Sequence, residues 1–197
     1  MKSYQNLDKL FYDLVESAEI EIKKSLSEYS KLYILNLLKK LAKTNDLFTN
    51  EFVKEMAIAE IFMEAFHRNL FEKINMLKLA GDLSLILSGL YPESLNKKLV
   101  NIDCYIKMGR SSYKELANIY ANYSSKLDIM NLYVQLKREF LNLVEILTEI
   151  ADKLHFINKD NTHNIHVRWQ KSGISKYKKI LEENKITPLY NNIKNQY

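Results

Sequence analysis

Two stretches carry a carboxylate and a histidine three residues apart: Glu64-Ala-Phe-His67 and Asp152-Lys-Leu-His155. At that spacing two side chains share one helix face, so an oxygen and an imidazole nitrogen can reach the same metal ion. Helical bundles that hold two iron or manganese ions use two such pairs together with single carboxylates from two further helices. Glu60 and Glu149 extend the same stripes. Both pairs nevertheless sit one residue off the apolar seams through Met63 and Phe66 and through Ala151 and Leu154, where solvated charges flank a packed face. The competing readings are therefore a di-metal carboxylate oxidoreductase using Glu64, His67, Asp152 and His155, and two ordinary charged flanks.

A second constellation lies between Lys78 and Tyr113, the stretch around which the rest of the chain is arranged. It holds Gly81, Gly89 and Gly109, three of the four glycines, and Pro92, one of the two prolines. Glycine is costly inside a helix unless a neighbour must come close. Ala80, Gly81, Ser84, Ser88 and Gly89 thus predict the tightest helix crossing of the molecule. Asp82 and Arg110 are charges within this small-residue region. A buried carboxylate there needs a partner, which Arg110, Lys78 or a tyrosine hydroxyl can supply. Two outcomes follow: an ion pair pinning two helices, or a ligand pocket lined by Asp82, Tyr105, Arg110 and Tyr113. Cys104, the single cysteine, reads as a small buried hydrophobe and leaves no partner for a disulfide.

Charge is unevenly placed. Residues 1–152 hold 20 Lys or Arg against 21 Asp or Glu, whereas residues 153–197 hold 9 against 3. Arg168, Trp169, Lys171, Lys176, Lys178 and Lys179 could neutralise phosphates and stack on unpaired bases, which would suit RNA or single-stranded nucleic acid. A solvated tail, with Trp169 anchoring a terminal helix, accounts for the same residues.

The elements that must position these groups are helices. The chain is 47% hydrophobic with four glycines and two prolines, too few turn residues for many short strands. Leu7, Leu10, Phe11, Leu14, Val15, Ala18 and Ile22 place a first helix over 6–24, and Ser25 or Ser27 caps a second, with Leu32, Leu35, Leu38 and Leu41 inward. Phe52, Met56, Ala59, Met63, Phe66 and Leu70 form a seam that packs against neighbours, with a break expected between Arg68 and Asn75. Asn101 or Asp103 caps a helix reaching about Ser124, and residues 127–154 read as one long helix. No stretch is long and apolar enough for a membrane span, and no secretory leader is evident at the start.

Three blocks in order, LAGDLSLILSGLYPESL (79–95), DCYIKMGRSSYKELA (103–117) and RWQKSGISKYKKILEENKITP (168–188), resemble a family of uncharacterised bacterial helical proteins of about this length. Its pattern is a GD followed by apolar residues and a G-hydrophobic-aromatic-P, then MGR-x-x-Y, then RW-x-x-x-G. The matching positions are Gly81, Asp82, Gly89, Pro92, Tyr105, Gly109, Arg110, Tyr113, Arg168, Trp169 and Gly173. The resemblance implies a compact bacterial cytosolic protein and no particular activity or cofactor.

The sequence thus predicts an all-α, single-domain helical bundle of about six to eight helices. Residues 1–157 would form the core, with 158–197 as basic C-terminal helices and tail docked on it. No nucleophile elbow, phosphate-cradling loop or dinucleotide motif is present. The expected role is that of a noncatalytic interaction or regulatory protein of the cytoplasm, without a cofactor, binding a protein partner or a second copy of itself.

Overall fold

The computed structural model describes residues 2–43, 58–92, 101–123 and 126–155, with side chains over 8–42, 58–92, 101–123 and 126–153. These residues form seven α-helices and no strand: α1 (Lys2–Ile22), α2 (Glu28–Lys43), α3 (Ile58–Glu64), α4 (Leu70–Gly89), α5 (Ile102–Ala121), α6 (Leu127–Arg138) and α7 (Phe140–His155). A turn of 3-10 helix over Ala65–His67 follows α3. The expected all-α bundle is what is found, and the two basic C-terminal helices expected beyond residue 157 lie outside the described residues.

α4 is the central helix. Leu77 and then Ala80, Gly81, Leu83, Ser84, Leu85, Ile86, Leu87, Ser88 and Gly89 are all buried, so apart from partly exposed Asp82 its second half is enclosed. A helix apolar on every side has to be surrounded. Its broadest contact is with α5, and α7 covers another side. The main core runs from Phe11, Val15 and Ala18 of α1 through Ile34, Leu35 and Leu38 of α2 to Leu143, Leu147 and Ile150 of α7. A smaller one joins Ile58 and Ile61 of α3 to Ala80, Leu83 and Leu87 of α4 and Tyr105 of α5.

Chain reversals are fixed by polar side chains. α1 ends in a Schellman motif, with Lys24 N–H bonded to the Glu19 carbonyl (3.0 Å), Lys23 N–H to that of Ile20 (3.2 Å), and Lys23 left-handed at φ 55°. The Glu19 carboxylate then accepts from the Leu26 N–H (2.8 Å) and pairs with Lys31 (2.8 Å), tying the loop to both helices. Ser27 caps α2 as expected, its hydroxyl oxygen accepting from the Ser30 N–H at 3.3 Å.

Several inward assignments are corrected. Leu10 and Leu32 are exposed, while Ile34 and Leu37 take the inner face of α2. Ala59, Met63, Phe66 and Leu70 are also exposed, and Ile58, Ile61 and Ala65 face inward instead; Phe52 and Met56 lie outside the described residues. The break falls at the early edge of its expected window: Arg68 is extended (φ −101°, ψ 162°), and the Asn69 side chain caps α4 by accepting from Glu72 N–H at 3.0 Å. Extended backbone resets the helical phase, so a seam that looks continuous in sequence changes face. The expected long helix over 127–154 is likewise two, interrupted at Glu139.

Candidate functional site

Asp82 is the charged residue within the buried half of α4, and three side chains converge on its carboxylate. Lys78, one turn earlier, donates to Oδ2 at 2.6 Å. Tyr33 of α2 and Tyr113 of α5 donate their hydroxyls to Oδ1 at 2.5 and 2.9 Å. Lys78 also donates to the Tyr33 hydroxyl oxygen at 2.8 Å, its ammonium lying 4.9 Å from the centre of that ring. One carboxylate therefore ties three helices together. Its side chain is 14% exposed and that of Lys78 35%, so the cluster runs from core to surface. Burial and, next, the Asp82 charge push the Tyr33 and Tyr113 hydroxyls well above the usual tyrosine value, so both stay protonated donors. The order of Lys78 before Asp82 is the weaker arrangement for an i,i+4 pair, and the hydrogen bonds from other helices make up the difference.

The rings continue the contact. Tyr113 meets Tyr33 edge-on at 6.1 Å and lies 5.9 Å from Tyr133, which stacks on Tyr120 at 5.8 Å. Tyr113 approaches so closely because residue 81 has no side chain: a Cβ there would stand 2.6 Å from its ring. A Cβ on Gly89 would stand 2.5 Å from Leu147 Cβ, and one on Gly109 would strike the Phe140 ring. The expected close crossing is thus present, and Ala80, Gly81, Ser84 and Ser88 are buried in it.

Of the four pocket residues expected from sequence, Asp82 and Tyr113 meet. Tyr105 is buried in the smaller core, and Arg110 is exposed, so the partner of Asp82 is Lys78 with two tyrosines. Tyr33 was not anticipated: 49 positions separate it from Asp82, and no local pattern marks it among 13 tyrosines. Cys104 is exposed, a correction, because it lies on the side of α5 away from buried Tyr105.

Glu64 pairs with Arg68 at 2.9 Å and His67 is exposed, whereas Asp152 is buried on α7 and not solvated as a flank would be. No group of three or more His, Cys, Asp or Glu among the described residues is placed to hold a metal ion. The His155 side chain and all of Arg168, Trp169, Lys171, Lys176, Lys178 and Lys179 lie outside the described residues.

A second polar brace joins Glu139, between α6 and α7, to the start of α2. Its Oε2 accepts from the Ser27 N–H at 3.0 Å and the Ser27 hydroxyl at 2.9 Å, and Oε1 from Arg138 at 3.1 Å. Burial raises the Glu139 pKa, but the hydrogen bonds from Ser27, Ser30 and Arg138 outweigh it and leave the carboxyl below its usual range.

These features define a helical bundle with a partly buried carboxylate, lysine and tyrosine cluster at its central helix. No family model matches the chain, and neither a curated protein nor a solved structure shows significant similarity to it. No described helix is long and apolar enough to cross a membrane.

Proposed function

We propose that this chain is a noncatalytic interaction or regulatory protein that docks a protein partner through the junction of α3 and α4. The observation that carries the reading is the exposure of Met63 (61%), Phe66 (43%), Leu70 (47%) and Phe71 (75%), four large apolar side chains within nine residues. Clustered exposed apolar groups with a polar rim mark interaction surfaces, where methionine and phenylalanine are enriched. The rim is supplied by the Glu64–Arg68 pair and by Lys73, whose ammonium lies 4.7 Å from the centre of the Phe66 ring. Phe66 in turn packs edge-on against Phe62 at 5.3 Å, and Phe62 rests on the core, so the patch is anchored. The exposed thiol of Cys104 suits a reducing compartment, the cytoplasm. Membership of the bacterial helical family belongs to the same proposal.

A photo-crosslinking amino acid in place of Phe71, in cells expressing the full chain, tests the reading. Discrete adducts are expected that Met63→Asp abolishes and that a probe at exposed Lys114 does not form. Adducts to a second copy of this chain would identify self-association. The same adduct pattern from positions 71 and 114 would refute the surface.

A further inference from the structure

Between α2 and α4 the surface opens into a depression of about 380 Å3 lined by Tyr33, Asn36, Leu37, Lys39, Lys40 and Lys78. Tyr33, Asn36, Leu37 and Lys40 follow at helical steps of three and four, so one face of α2 is turned toward Lys78 of α4. Three ammonium groups and no carboxylate stand among its described lining residues. Asp82 holds Lys78 at 2.6 Å, and Asp8 of α1, itself exposed, holds Lys39 at 2.9 Å.

We propose that this depression binds a phosphate group, free or carried on a small molecule. An ammonium has three donor hydrogens. Lys78 directs one to Asp82 and one to the Tyr33 hydroxyl, which leaves a third for a ligand in the depression that it lines. Those two bonds also hold the ammonium in place before a ligand arrives, so little side-chain entropy is lost on binding. Lys39 and Lys40 add charge, the Asn36 amide adds a neutral donor, and Leu37 with the Tyr33 ring offers an apolar wall for an organic moiety. The volume falls in the range of small-molecule sites, roughly 300–1,000 Å3. This site is separate from the Met63–Phe71 surface and does not depend on it.

Calorimetric titration of the full chain at low ionic strength, with inorganic pyrophosphate and with AMP, tests the proposal. Pyrophosphate is expected to bind one to one with a Kd of about 1 mM or below. The double variant Lys39→Ala/Lys40→Ala should weaken it roughly tenfold or more, as expected when two of three cationic contacts are lost. Lys107→Ala/Lys114→Ala removes the same charge from exposed positions on α5 and should leave the affinity within about twofold if long-range charge is screened. Tighter binding of AMP would assign the organic moiety to the Leu37 wall, and tighter binding of pyrophosphate would assign the free anion. Equal losses in the two double variants, or no heat with either probe, would overturn the site.

Discussion

Tyr113 and Gly81 share one space: a methyl group on Gly81 would stand 2.6 Å from the Tyr113 ring. The ring cannot easily yield, because it is fully buried and its hydroxyl is bonded to Asp82, the next residue on α4. Local sequence and tertiary contact are therefore coupled at this pair.

Gly81→Ala should gain about 1 kcal/mol of helix propensity and lose about 1–3 kcal/mol to overpacking, a net destabilisation. Gly109→Ala should cost more, since its Cβ meets the buried Phe140 ring and also lies 3.0 Å from Ser84 Cβ, an atom fixed by backbone. Urea denaturation of both variants checks the order. A gain in stability from either one would mean that the crossing is looser than described.

Removing one donor to the Asp82 carboxylate should be costly and coupled. Tyr113→Phe is expected to lose about 1.5–3 kcal/mol, the scale of a hydrogen bond to a charged group. Combined with Asp82→Asn, it should lose less than the sum of the single variants, with a coupling of at least about 0.5 kcal/mol. A double-mutant cycle by thermal unfolding measures this, and strict additivity would contradict the shared bond.

The two polar clusters predict losses of stability at opposite ends of the pH scale. Glu139 has a folded pKa below its ordinary value of 4.5, so its contribution is fully present above that value and disappears as pH falls through the folded one. Glu139→Gln should lower stability at neutral pH and flatten the acid limb. Tyr33 and Tyr113 have folded pKa values raised above 10.0, so their contribution is complete below pH 10 and is lost as pH rises further. Tyr133 shifts the same way, by burial first and then by the Asp82 charge. Absorbance titration of tyrosinate should find that these three ionise only together with unfolding. Ionisation of every tyrosine near pH 10 in the folded chain would refute their burial.

Lys23 is the described non-glycine residue with positive φ, at 55°. A left-handed conformation costs an L-residue about 1–2 kcal/mol, partly offset in Lys23→Gly by the added freedom of the unfolded chain. Lys23→Gly should therefore stabilise by about 0.5–1 kcal/mol, read as a rise in the urea midpoint. A fall in the midpoint would show that the Lys23 side chain contributes more than its backbone costs.

Much of the site could be read from local signals. Glycines in an otherwise apolar helix announced the α4 crossing, because nothing else repays their cost, and Asp82 stood out there as a charge needing a partner. Lys78, one turn away, was among the partners left open, with Arg110 and the tyrosine hydroxyls. Tyr33 itself was not marked, since its bond to Asp82 spans 49 positions and its neighbours on α2 fit any amphipathic helix. Arg110 was a plausible partner by type, but its position on α5 points it to solvent while Tyr113, three residues on, faces inward.

Helix content, a serine cap for α2 and a charge set among the small residues of α4 were determined by the sequence itself, because each rests on residue types within a few positions. Tertiary structure decided which faces were buried on either side of a break and which distant groups met. Across the break at Arg68 the seam passes from exposed Met63 and Phe66 to buried Leu77 and Ala80, and in α7 Asp152 is buried beside Ala151 because everything from Ile146 to Asp152 is enclosed by neighbouring helices. Periodicity assigns neighbours to one face only while the helix is unbroken; beyond a break, the face that is buried is set by the helices that pack against it.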